Sequence, residues 1–405
     1  MEATIELQPR VRRGLDVFFL SITLLVCLIA TLPQIRVGDY KPHIAFAVEM
    51  AENNPVPVPH ALFQKLILVL RTLLPFRILQ DQAGFWQYLY DHSFTAGAIL
   101  VAMAAYLATV IILKKRFYQN WISTLGSKTY IYAWLAAFCM LLVNPIILFT
   151  LGSSRLILGY IPANVWHNPT YILMRPFALW LFFFIEDHWD KRLNAKQWFL
   201  VAFISYLVIF AKPNFTLSML PALGIFFLLK AGSLSKWNWV LLTALAVPAL
   251  LSLAYQYWFM SQFPEISQYI FAPFQAALYY TKTGFALIAF LLLSIAFPLM
   301  LTLLDHKETL RRVNFQLASL NFAIALATFL LFAEIPYISM LNFSWGVMMA
   351  VFLLFAVSLN HLVRDYRRLA IQAWKTNIMF GLLALHLVSG VIYTIITIIN
   401  PGPVR

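Results

Sequence analysis

Asp39 and His43 lie one helical turn apart in a polar stretch, RVGDYKPHIAFAVEMAENNPVPVPHALFQ, that runs from Arg36 to Gln64. A carboxylate and an imidazole at i and i+4 share a helix face and can act on one ligand. The carboxylate would take a proton from a hydroxyl, and the imidazole would orient it or touch a phosphate. The same stretch holds Glu49, Glu52 and His60, in a chain whose charged residues make up only 11%. Glu49 and Glu52 read as the solvated face of a surface helix. Asp39 follows a long apolar run by a few residues and reads as functional.

A second group is cationic. Arg155, His167, Arg175 and Lys212, with Asn168 and Asn214, lie at the ends of three consecutive apolar runs. Brought together, they form a positive pocket that suits a lipid phosphate or diphosphate. Prolines at 162, 169, 176 and 213 make this backbone irregular, and irregular backbone at membrane depth is tolerated where it lines a cavity. A third group is Glu334, Asn342 and Trp345, whose amide and aromatic face suit a sugar. Plainer readings stand beside these. Lys212 and Arg175 can snorkel to ordinary headgroups, and Asn168 or His167 can cap the helix that follows.

The elements that must position these groups are transmembrane helices. Apolar residues make up 62% of the 405, and they fall in runs of the length that spans a hydrocarbon core. The chain reads as one all-α polytopic integral membrane domain over 1–405, with eleven spans. These lie near 17–32, 93–113, 129–151, 170–185, 197–211, 215–229, 237–255, 285–304, 315–332, 347–362 and 377–399. The third is broken near Asn144-Pro145. Residues 34–92 form an outer loop with juxtamembrane helices, in which 61–74 is amphipathic and too short to span. Most of the 29 Lys and Arg fall in the loops that alternate with this one, which puts the N-terminus inside and the candidate residues outside. The net charge of +13 is therefore a topology signal rather than a nucleic-acid footprint. Cys27 and Cys139 sit in apolar runs as small hydrophobes.

The run Gly38-Asp39-Tyr40, then His43 and Ala47, then Pro55, Pro57 and Pro59, resembles the first outer loop of the GT-C superfamily of membrane glycosyltransferases. The likeness covers about 30 residues, with span number as a general fit. It implies a GT-C-like fold and an inverting enzyme that takes sugar from a polyprenyl phosphate or diphosphate donor. The acceptor would be a glycan, lipid or protein. Asp39 matches the family's acidic residue and is the implied base, with His43 beside it. Arg155, His167, Asn168, Arg175, Lys212 and Asn214 would hold the donor phosphate, and Glu334, Asn342 and Trp345 the sugar or acceptor. The resemblance leaves a divalent metal, Mg or Mn, open as a cofactor. Position 39 has no paired DxD, ExD or DE motif, and the residues name no metal ligand. Short loops point to a bacterial plasma membrane. Rival readings are a flippase or transporter of lipid-linked saccharide, a glycan polymerase or ligase, and a non-catalytic membrane scaffold. The first predicts repeat symmetry, and none is visible.

Overall fold

The computed structural model describes residues 8–73, 85–150, 157–231, 233–263 and 268–401. Arg155, Asp81 and Glu265 lie outside them. The described chain is almost wholly helical. In order, its elements are α1 (Pro9–Thr31), α2 (Gln34–Val37), α3 (Tyr40–Ala51), α4 (Leu62–Leu73), α5 (Phe85–Leu125), α6 (Thr129–Cys139), α7 (Pro169–His188), α8 (Ala195–Ala211), α9 (Asn214–Ala231) and α10 (Trp239–Ser261). Then follow β1 (Gln268–Phe271), α11 (Gln275–Thr281), α12 (Gly284–Ser294), α13 (Ala296–Leu304), α14 (His306–Thr309), α15 (Val313–Leu331), β2 (Phe332–Ile335), α16 (Ser344–Arg364), α17 (Tyr366–Leu369) and α18 (Ala373–Ile399).

Seven described segments are long and apolar enough to cross a membrane. An eighth counts if α11 and α12, bent by 89° at their junction, form one broken span. The molecule is thus an all-α polytopic membrane protein, apart from one two-stranded ribbon among the described residues that the composition did not announce. In that ribbon β1 runs antiparallel to β2, with Tyr269 opposite Glu334.

The bundle is built around α16. Every residue from Ser344 to Leu362 is buried, including Trp345, Asn360 and His361. A helix apolar all round belongs in the middle of a bundle. Its neighbours are α15, α5, α9 and α13. With 21 residues, α16 is about 31 Å long, so its two ends sit at opposite faces of a hydrocarbon core.

Three helices depart from their expected limits. α5 covers 41 residues, running past the 93–113 span at both ends. α6 stops at Cys139 rather than continuing toward 151. The cause of that early stop is tertiary. The Asn164 amide donates to the carbonyls of Met140 and Val143, both at 2.8 Å, and the Asn164 N–H donates to Asn144 Oδ1 at 3.1 Å. Carbonyls taken by a neighbouring loop no longer need the helix. The 285–304 run breaks between α12 and α13, where Pro298 cannot donate to the carbonyl of Ser294. α4 has twelve residues, about 18 Å, and packs on α3 and α5.

Candidate functional site

The first outer loop is pinned to the start of α7. The Asp39 N–H donates to the His167 carbonyl at 3.0 Å. Gly38 allows this approach: a Cβ there would stand 2.9 Å from the Gln34 carbonyl oxygen and 2.9 Å from the His167 Cβ. Asn168 then works with both ends of its amide. Its oxygen caps α7, accepting from the Tyr171 N–H at 2.8 Å, with Pro169 as the first helical residue. That fixes the amide's direction, so its nitrogen faces outward and donates to Asp39 Oδ2 at 2.6 Å. The carboxylate is half-buried and held by an amide, not by a cation.

Lys212 comes to the same place from the turn between α8 and α9. Its ammonium donates to Thr170 Oγ1 at 3.2 Å and lies over the Trp345 ring at 4.7 Å. Trp345 also meets the rings of His167 and Tyr171. Burial lowers the Lys212 ammonium to about 8, against the charges of Asp39 and Glu334, which hold it up. Lys212 therefore feels both carboxylates, and among the described residues no hydrogen bond or ion pair joins it to either. Asn214 opens α9 and donates to the Asn342 carbonyl at 2.9 Å. Asn342 in turn donates to Glu334 Oε2 at 2.5 Å. Gly346 permits this junction, since a Cβ there would come within 3.2 Å of the Asn214 carbonyl oxygen.

His43 sits on α3, one turn from Asp39, edge-on to Phe46 and Phe63. The Gln64 amide nitrogen meets its Nδ1 at 2.7 Å. With that amide donating, the ring is neutral and carries its proton on Nε2. Burial first, then the Lys212 charge, pushes His43 down to about 4 and His60 down to about 3. Neither imidazole is a cation at neutral pH. Glu49 and Glu52 are exposed, and Asn54 donates to both.

The structure thus assembles Asp39, His43, His167, Asn168, Lys212, Asn214, Glu334, Asn342 and Trp345 at one end of the bundle. Arg175 is not among them. It lies seven residues beyond Asn168 on α7, about 10 Å further along the axis, and is fully buried. Gln64 and Thr170 also belong to the cluster and carried no sequence signal of their own, and Gly38, noted only as part of the run around Asp39, belongs to it by its close approach to His167. Beside Asn342 and Glu334, between α11, α12, α15 and α16, is an apolar cavity of about 150 Å³. Tyr160, Phe274, Leu291, Phe329, Leu341 and Met348 line it.

The donor set does not fit a hard divalent cation, which takes six or more oxygens. Asp39 and Glu334 each face an amide nitrogen, and the Lys212 ammonium is close enough for its charge to act on both. A different set, Asp305, His361 and Asp365, has its ligand atoms within 4.8 Å of one another at the far end of α16. There, however, Arg368 and Arg312 already bind both carboxylates. Compared with known proteins, the chain matches no family model, no curated protein and no solved structure.

Proposed function

We propose that this protein is a membrane glycosyltransferase that moves a sugar from a polyprenyl phosphate or diphosphate donor to an acceptor on the outer face of a bacterial plasma membrane. One observation carries the reading. A half-buried carboxylate, an ammonium and an aromatic face, from the first loop, the α8–α9 turn and α16, meet at one end of an apolar bundle. That combination suits a transfer from a lipid phosphate: a base for the acceptor, a cation for the leaving phosphate and a face for the sugar. In this reading Asp39 takes the acceptor hydroxyl's proton as that oxygen attacks the anomeric carbon, with inversion. Lys212 meets the phosphate as it leaves and gains charge, and Trp345 offers a face to the sugar. Asn168 aims Asp39; Asn342 and Asn214 hold the Glu334 side of the site. The donor's lipid chain would follow the apolar cavity beside Asn342. Its phosphate would also contact His167, with Arg155 a further candidate.

Eleven crossings are consistent with the helix order. Counted from α1 to α18, with α12 and α13 taken as one broken span, successive ends alternate between the Asp39 end and the Asp305 end. That topology places α3 and α4 at the interface and the N-terminus inside.

The test is turnover by purified protein in nanodiscs, offered polyprenyl phosphate and diphosphate sugars. Release of the lipid phosphate by wild type is expected, with a loss of about a hundred- to ten-thousand-fold in Asp39→Asn at unchanged donor binding. Binding without release by wild type would favour a flippase or a scaffold. A scaffold has one observation on its side: the Asp39–Asn168 joint also ties loop to helix. An Asp39→Asn protein that keeps full turnover would leave Asp39 with only that structural role.

A further inference from the structure

We propose that Arg175 forms the floor of a second, internal site that holds a small monovalent anion of about chloride size, separate from the Asp39–Lys212 cluster. Arg175 is 1% exposed and always charged. Its Nη1 donates to Asn164 Oδ1 at 2.8 Å, while its Nε and Nη2 are buried without a well-formed hydrogen bond, the Tyr171 phenol being its other side-chain partner. The Tyr171 and Phe352 rings face the guanidinium at 5.0 and 4.7 Å, which offsets only part of the cost of a charge out of water. No carboxylate of the described residues pairs with it.

The same region collects other buried O–H groups. The Tyr106 and Tyr40 phenols lie there, with Thr31 as the side-chain partner of each and no well-formed hydrogen bond beyond it. Buried polar groups are normally satisfied, and here one threonine hydroxyl serves two phenols beside a guanidinium that has no carboxylate. The set is complementary to an anion, not to a metal ion. The walls limit which anion. Cys27, Trp166 and Tyr171 are fully buried around it, and Trp166 packs on Tyr106 at 5.4 Å. A single charge to match one guanidinium, small size and easy dehydration point to a halide.

The experiment is thermal melting of the full-length protein in nanodiscs, in sodium chloride against sodium gluconate at equal ionic strength. Bromide-soaked crystals serve as the second readout. Chloride should raise the melting temperature by a few degrees in a saturable way, as any ligand that binds only the folded state does. Bromide should give an anomalous peak beside the Arg175 guanidinium. Arg175→Met should abolish the response. Tyr106→Phe removes one donor and little volume, so it keeps the fold testable. It should raise the half-saturating chloride concentration several-fold. Equal melting in both salts with no bromide peak would overturn the proposal and leave water as the occupant. So would a chloride response that survives Arg175→Met. A bound phospholipid lost in Arg175→Met, with no chloride effect, would overturn it in favour of a lipid phosphate. None of these readouts depends on the transferase reading.

Discussion

The two ends of α16 carry similar residue types wired in opposite ways. At the C-terminal end the charges are closed on one another. Arg368 donates to Asp305 and Asp365, Arg312 donates to Asp365, and His361 Nε2 meets Asp305 at 2.7 Å. This ring ties α15, α16 and α17 to the end of α13, and Arg116, paired with Glu186 and Asp187, similarly ties α5 to α7. At the N-terminal end the charges are kept apart. Asp39 is held by an amide, Glu334 by another amide, and the Lys212 ammonium by a hydroxyl and a ring. Charges that satisfy each other build structure. Charges held apart by neutral partners remain able to meet a ligand, and their poise is kept by burial.

The sharpest way to break this contrast is to neutralise one carboxylate at each end. Asp39→Asn should lose turnover by about a hundred-fold or more while melting stays within a degree or two. Asp305→Asn should do the reverse. It takes one charged partner from His361 and from Arg368, which keeps Asp365, and a lost charge-assisted hydrogen bond costs about 1–3 kcal/mol, less here because Arg368 reaches solvent. Melting should fall by several degrees, with turnover per folded molecule retained. Calorimetry and lipid phosphate release on the same preparations separate the two. Equal loss of stability at both ends would erase the distinction.

Next in size is the pH response of Lys212. Its folded value, about 8, lies below its ordinary 10.5. Between these values the unfolded chain holds more protons than the folded one, so stability should rise with pH across that window as the buried charge is relieved. Donor binding should move the other way, falling up to about tenfold per pH unit above 8 as the ammonium is lost. Titrating binding and melting together in wild type and Lys212→Met checks both signs; in the mutant, both slopes should flatten.

The smallest effect is expected from Gly38→Ala. The added methyl meets a backbone oxygen and the His167 Cβ at 2.9 Å each, so the loop must lift from α7. A strain of about 1–3 kcal/mol follows. Because that contact positions Asp39 and nothing at the other end, turnover should fall several-fold with the Asp305 ring intact. Fourier-transform or exchange measurements should show loosening confined to the first outer loop.

How far these features were legible depended on how local they are. Asn168-Pro169 is a helix start written in two adjacent residues, and it is one. Asp39 and His43 share a turn of α3 because i and i+4 must. The termination of α6 was not legible at its true place. Asn144-Pro145 marked a break, yet the helix ends at Cys139, and Asn164, twenty residues on from Asn144, takes the carbonyls of Met140 and Val143 just past that end. The β1–β2 ribbon was missed for a like reason: its strands are four residues each, too short to show a period of two. Arg175 is the clearest case. Its distance along α7 from Asn168 is readable, but the direction in which its side chain points is not. That depends on how α7 is rotated against α1, α5 and α16.

The sequence by itself determined that this is a helical membrane protein, since runs of apolar residues of bilayer length leave the backbone no other way to satisfy its hydrogen bonds. It also determined that the polar residues would be few and gathered at helix ends. Only the tertiary structure decided which of them meet. It put Lys212 against Thr170 and Trp345 within reach of the Asp39 and Glu334 charges, turned Arg175 away into the bundle, and closed Asp305, His361, Asp365 and the two arginines into a ring. The physical reason is that helix rotation and crossing are set by the packing of many apolar side chains around α16. A polar residue goes where that packing takes its helix face.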